Sequence, residues 1–176
     1  LPRLFYVWAI VLGGNLIGGV VGAALLAYTG LFTPEAAQAA IAIGTDALQT
    51  PFADLFFRGM FAGLIVAGVV WLDYAMRDGA GRFMLIYLSF MAIPVAGLNH
   101  IVITATEAFY LFFAQGTSLL ITLPSMVLPV LLGNTLGGVL LVTVVNYFQT
   151  PYYIQQDPAK RLSFTDWLFS MKVRKQ

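Results

Sequence analysis

The sequence lacks cysteine, contains a single histidine, and has charged side chains at only 10% of its 176 positions. Without cysteine the chain forms no disulfide, no thiolate nucleophile and no cysteine-ligated metal or iron–sulfur site. A single histidine excludes a multi-histidine metal site within this chain. The few polar residues include no nucleophile–base set, so we expect neither an enzyme nor a metal or other cofactor. The formal net charge of +1 argues against nucleic-acid binding.

Apolar residues, by contrast, occupy 60% of positions, and the mean hydropathy is +0.85. This composition lies outside that of soluble domains and indicates an integral membrane protein. Four apolar regions are long enough to cross a bilayer core of ~30 Å as helices, and none has the period-two alternation of a barrel strand. They cover about residues 4–28, 55–74, 83–114 and 119–148. We therefore predict an all-α membrane domain over residues 1–150 and a polar cytoplasmic tail over 151–176.

Basic residues alternate from loop to loop and so predict the orientation. They occur before span one, between spans two and three, and after span four, at Arg3, Arg77, Arg82, Lys160, Arg161, Lys172, Arg174 and Lys175. The two remaining loops, 30–50 and 115–119, contain none. Because cytoplasmic loops carry the excess of Lys and Arg, the C-terminus is predicted to be cytoplasmic. In the first outer loop, Thr33 as N-cap and Pro34 at the first helical position predict a surface helix over about residues 34–48.

A ten-residue pattern occurs in both span one and span four. Residues 11–20 and 130–139 share seven of ten positions, including Gly-Asn-x-x-Gly-Gly. The charge pattern predicts that the two copies cross the membrane in opposite directions, which is typical of an inverted-topology repeat. The first half would then need two further spans before Leu1, and the whole protomer would have six. Glycine-rich helix interfaces that recur by chance are the alternative.

Span three is interrupted near residues 97–100. Pro94 removes a backbone donor, Gly97 loosens the helix, and Asn99 and His100 follow. Irregular backbone at membrane depth is tolerated where it is buried in protein or lines an aqueous cavity. The single histidine is thereby predicted to lie near the bilayer centre, where ionisable residues are functional candidates. A neutral His100 that hydrogen-bonds between helices is the structural alternative.

Three further charged residues are candidates for a pore or for structural roles. Glu107 follows His100 by seven residues, on nearly the same helix face. It either lines the same path or hydrogen-bonds a neighbouring helix. Asp54 and Arg58 are four residues apart at the outer end of span two, a spacing that favours an ion pair over a gate.

Three segments together resemble the formate/nitrite transporter family over about residues 7–148. They are Phe57-Arg58-Gly59, Gly97-Leu98-Asn99-His100 and the glycine-rich run over residues 128–138. His100-Ile101-Val102 with Glu107, and the loop residues 43–46, look closest to the YfdC-like branch of that family. The resemblance implies an aquaporin-like, inverted-repeat helical bundle with a broken helix near the midplane. It also implies a homopentamer in the prokaryotic inner membrane.

The resemblance further implies passage of small monovalent anions such as formate, nitrite or hydrosulfide. The central histidine of the family matches His100, and its two apolar constrictions match Ile93 and Val66. The chain departs from the family at Asn99, where Glu is usual, and at Thr104, where Asn is usual. The outer loops also carry more acidic than basic residues, and a negative outer field repels anions.

The first functional hypothesis is a channel or proton-coupled carrier for a small weak acid or its anion. His100, with an ordinary pKa near ~6.5, would hold the anion as imidazolium or lend it a proton, and Asn99 and Thr104 would orient the ring or the solute. The acidic outer loops motivate a second hypothesis, a pore for a neutral or cationic small solute. A third is a membrane scaffold without transport, motivated by the amphipathic tail.

Overall fold

The computed structural model describes residues 2–149, which are helical with short connections and contain no strand. The elements are α1 Pro2–Tyr28, α2 Pro34–Gln49, α3 Phe52–Ala75, α4 Gly79–Val95, α5 Ile101–Gln115, α6 Leu119–Thr122, a π-helical segment Leu123–Val127, and α7 Leu128–Gln149. The tail predicted over residues 151–176 lies outside the described residues.

Three stretches of this part of the chain are long and apolar enough to cross a membrane: Phe5–Tyr28, Phe52–Ala75 and Leu119–Val142. Each has 24 residues, which at ~1.5 Å per residue exceeds the ~30 Å core. The apolar helices α4 and α5 have 17 and 15 residues, so neither reaches across alone. Together they cover the region in which we predict an interrupted third span.

Local sequence chemistry explains where several helices begin. The Thr33 hydroxyl accepts a hydrogen bond from the Ala36 N–H, and Pro34 occupies the first position of α2. Proline suits that position because its missing N–H would have no helical partner there. Asp78 caps α4 in the same way, accepting from the Gly81 N–H at 2.7 Å.

Among residues 2–149, the one ion pair joins Asp73 at the end of α3 to Arg82 on α4. The Arg82 Nε and Nη2 donate to the two carboxylate oxygens at 2.6 and 2.7 Å. Asp54 and Arg58 form no such pair, so the expectation that they pair is wrong. The physical reason is that an i, i+4 pair near a helix surface gains only ~0.3–0.5 kcal/mol, too little to hold two side chains together.

The closest helix packing joins α3 to α7 through glycines on both helices. A Cβ at Gly59 would lie 2.9 Å from the Val130 carbonyl oxygen. At Gly63, Gly133 and Gly137 a Cβ would overlap a backbone carbonyl of the facing helix. Each helix thus presents two glycines four residues apart, the small-residue spacing that lets membrane helices touch backbone to backbone.

The buried core lies where α2, α3, α5, the π-helical segment and the start of α7 meet. Its members include Leu55, Ala105, Met126 and Val130. The long helix α1 packs on α5, with Gly19 against the Thr106 hydroxyl. Many large apolar side chains elsewhere are exposed, as the lipid-facing surface of a membrane protein requires.

Candidate functional site at the helix break

The break between α4 and α5 follows from two residues near its start. Pro94 stands in the last turn of α4, and Gly97 adopts φ +67°, a left-handed conformation that costs glycine little. The Leu98 N–H then donates to the Ile93 carbonyl at 2.9 Å and closes the end of α4. The backbone from Leu98 to His100 is not helical, and His100 is the residue before α5. The single histidine therefore lies at the junction of two helices.

One side chain from α7 binds the backbone on both sides of His100. The Asn134 Oδ1 accepts from the Ile101 N–H at 2.9 Å, and its Nδ2 donates to the Asn99 carbonyl at 3.3 Å. The same Nδ2 donates to the Gly59 carbonyl of α3. Ile101 N–H is one of the donors that a helix start leaves without a helical partner. Asn134 thus ties α3, α7 and the break together around the histidine.

His100 lines a cavity of about 540 Å³ on the α3–α7 side of the break. The wall is mostly apolar, and Val66 of α3, Trp8 of α1 and Leu131 of α7 belong to it, together with Asn134. The structure therefore brings together His100 and Val66, two of the residues singled out from the sequence. His100 is half-buried and is the one titratable group among the described residues that line this cavity.

The other candidate residues lie elsewhere. Ile93 is 2% exposed, Thr104 is fully buried, and neither lines the cavity. Asn99 Oδ1 and Thr104 Oγ1 are both buried without a hydrogen-bond partner. Glu107 lines a second cavity between α1, α2 and α5.

Asn134 is the site residue that sequence reasoning missed. It lies in the Gly-Asn-x-x-Gly-Gly pattern of span four, where its neighbours Gly133 and Gly137 pack against α3. The pattern was interpreted as a helix-packing signal and as a repeat. The only sign of a further role was an amide side chain inside an apolar span, which needs hydrogen-bond partners there.

Acidic residues outnumber basic ones in the described part of the chain. Residues 2–149 contain the four arginines 3, 58, 77 and 82, against Glu35, Asp46, Asp54, Asp73, Asp78 and Glu107. Hydrogen bonds from its own backbone and from Thr33 lower the pKa of Glu35, so α2 begins with a negative charge at neutral pH. Among residues 2–149, no arginine lines either cavity.

The sequence profile of the formate/nitrite transporter family matches residues 1–148. The chain belongs to the formate/nitrite transporter family. It is an integral membrane protein, and members of this family are transporters rather than enzymes. Both the resemblance and the expectation that the chain is no enzyme are thereby confirmed.

Three relatives illustrate the range of the family. The chain is 28% identical over 146 residues to the inner membrane protein YfdC of Escherichia coli, covering 83% of this chain and 46% of YfdC. It is 28% identical over 151 residues to the nitrite transporter NirC of Salmonella typhimurium, covering 84% and 55%. It is 26% identical over 155 residues to formate-nitrite transporter 3 of Toxoplasma gondii, covering 85% and 31%. The chain spans about half the length of YfdC and NirC.

Proposed function

We propose that this chain forms the histidine-bearing part of a channel or proton-coupled transporter for a small weak acid and its monovalent anion, of the formate or nitrite kind. The observation that carries the proposal is His100, at a helix break and in the wall of a largely apolar cavity. Relatives named as nitrite and formate-nitrite transporters support the substrate class.

The chemistry rests on the cost of dehydrating an anion. An ion that leaves water for an apolar passage loses far more solvation energy than its neutral acid does. His100 can offset that cost by binding the anion as imidazolium or by giving it a proton. Val66 in the cavity wall and Ile93, which is buried outside that wall, are the proposed dry constrictions. Asn99 Oδ1 and Thr104 Oγ1, both buried and unpaired, are the proposed partners of the ring or the solute.

We propose further that the protomer is an inverted repeat of six spans. On α7 the repeated pattern packs against α3 and binds the break through Asn134. On α1, a Cβ at Gly14 or Gly18 would meet no other helix of the described chain within 4 Å, and the Asn15 amide donates within its own helix to the Val11 carbonyl. This uncovered face of α1 supports a preceding half of the protomer that would pack on α1. That contact would correspond to the packing of α3 and the helix break on α7.

The family resemblance supports a homopentamer in the lipid bilayer of the cytoplasmic (inner) membrane. The name of YfdC, an inner membrane protein, supports the same location. The basic residues after span four favour a cytoplasmic C-terminus.

A pore for a neutral or cationic small solute is the second candidate. The acidic balance of residues 2–149 favours it, and within that part of the chain no arginine contributes to the wall of either cavity. The scaffold hypothesis rests on the tail, which lies outside the described residues.

Uptake into proteoliposomes that contain the whole protein tests the proposal. Isotope-labelled formate and nitrite should enter between pH 5 and 8 with a pH dependence that His100→Phe abolishes and His100→Asn alters. Gln38→Asn, an exposed change on α2, is the control and should leave uptake unchanged. An unchanged pH profile in both His100 variants would remove the histidine from the mechanism. Competition by urea or methylammonium rather than by formate would favour the second candidate.

A further inference from the structure

A second cavity, of about 280 Å³, lies between α1, α2 and α5, away from the wall that contains His100. Its lining is mainly apolar, with Leu26 from α1, Ala40 and Ile43 from α2, and Phe32 from the loop between them. Glu107 on α5 is the one charged residue among the described residues that line it. The function proposed above makes no use of this cavity.

One oxygen of the Glu107 carboxylate has no hydrogen-bond partner. Its Oε2 is buried and has no hydrogen bond. The neighbouring Thr106 hydroxyl donates to the Val102 carbonyl at 2.8 Å, so its hydrogen is already used within α5. An ionised carboxylate in apolar surroundings is costly unless it takes up a proton or a positive group neutralises it.

Two aromatic rings form part of the same wall. Phe32 and Tyr110 meet edge to face, with ring centroids 5.8 Å apart. The faces of aromatic rings attract cations, most strongly where the cation has lost its water. A carboxylate beside aromatic rings is therefore a suitable environment for an organic cation.

The geometry limits which cation would fit. Calcium and magnesium need about six oxygen ligands, and the described residues contain no group of three or more acidic or histidine side chains that could hold a metal. A volume of about 280 Å³ holds roughly nine waters at ~30 Å³ each, which is room for a small organic ion. An anion would be repelled by Glu107.

We propose that this cavity binds a small monovalent ammonium cation, such as ammonium or a primary alkylammonium. The N–H groups of the cation donate to the Glu107 carboxylate, and its charge lies against Phe32 and Tyr110. The two cavities share no lining residue, so the failure of either proposal leaves the other standing.

Calorimetric titration of the whole protein in lipid nanodiscs tests the site, with methylammonium chloride as the probe and sodium chloride at equal ionic strength as the reference. Methylammonium should bind to the wild type, and Glu107→Gln should weaken binding at least tenfold. Glu35→Gln, which removes an exposed carboxylate from α2, is the matched control and should bind as the wild type does.

A second variant keeps the test decisive if Glu107→Gln is poorly folded. Ala40→Phe fills the cavity from α2 and keeps the carboxylate, and it should also lose methylammonium binding. Thermal unfolding of each variant shows whether it is folded. The proposal is overturned if the wild type gives no heat beyond sodium chloride, if Glu107→Gln binds within twofold of it, or if folded Ala40→Phe still binds.

Discussion

At the scale of single residues, Asn134 has the most partners of any side chain at the helix break. Its hydrogen bonds reach the peptide groups on both sides of His100 and the carbonyl of Gly59. An amide carries both donors and an acceptor, so one side chain can satisfy groups of opposite polarity. Asn134 also lines the cavity beside His100, and its hydrogen bonds to the backbone on both sides of that residue make it a positioning residue.

Replacement of Asn134 by leucine should both destabilise the fold and displace His100 from its position. Leaving the Ile101 N–H and the Asn99 carbonyl without partners should lower the free energy of unfolding by ~1–3 kcal/mol. The pH dependence of formate uptake should flatten as His100 loses its fixed position. Thermal unfolding in detergent and uptake between pH 5 and 8 measure the two effects.

Two further variants distinguish an effect on the position of His100 from a general loss of stability. Asn134→Asp keeps the Oδ1 acceptor and loses the Nδ2 donors, so it should retain part of the pH dependence. Leu132→Ile, an exposed change on the same helix, should behave as the wild type does. An Asn134→Leu protein with a normal pH profile would show that other groups orient the histidine.

The features that the sequence predicts well are those whose partners lie within one helical turn. The Thr33 hydroxyl accepts from the N–H three residues further on, as expected of an N-cap. Pro94 and Gly97 stand at the end of α4, in the region of the predicted interruption. Asn134 bonds to residues 33 to 75 positions away, and no spacing rule finds such partners. Asp54 and Arg58 have the spacing of a helical ion pair, but the interaction between them is too weak to hold the two side chains together.

At the scale of helices, the crossing of α3 and α7 holds the break in place. Four glycines bring the two backbones into contact, and only at that distance does Asn134 on α7 reach the Gly59 carbonyl of α3. The sequence indicated close packing by small residues but not which helices meet. It predicts a span over about residues 119–148 but does not locate the π-helical segment at Leu123–Val127, where Pro124 cannot donate a helical hydrogen bond.

Neighbouring glycines on α7 provide a matched test of this crossing. A Cβ at Gly137 would overlap the Met60 carbonyl, whereas at Gly138 its nearest neighbour is at 3.8 Å. Gly137→Ala should therefore lower the free energy of unfolding by at least ~1–3 kcal/mol, the usual cost of overpacking. Gly138→Ala should be neutral or should stabilise the helix by up to ~1 kcal/mol. Thermal unfolding in detergent compares them, and equal effects would mean that the helices do not cross at this distance.

At the scale of the whole molecule, the two copies of the repeated pattern have different surroundings. On α7 two of the three glycines of the pattern, Gly133 and Gly137, are covered by α3, whereas a Cβ at their counterparts Gly14 and Gly18 on α1 would meet no other helix among the described residues. Asn134 binds three backbone groups, whereas Asn15 binds one in its own helix. A helix with small residues and an amide on its exposed face is suited to contact with protein rather than with lipid.

The six-span protomer proposed above therefore makes a prediction about α1. In the whole protein, Gly18→Leu should prevent a preceding span from packing on α1 and should lower the unfolding temperature about as much as Gly137→Leu does. In the 176-residue chain alone, the same change should have little effect, because a Cβ at Gly18 would meet no other helix of residues 2–149 within 4 Å. Ile17→Leu is the control, since Ile17 is 68% exposed and its replacement keeps the surface apolar. If Gly18→Leu is harmless in the whole protein, the shared pattern is a coincidence of glycine-rich helices and the inverted repeat is refuted.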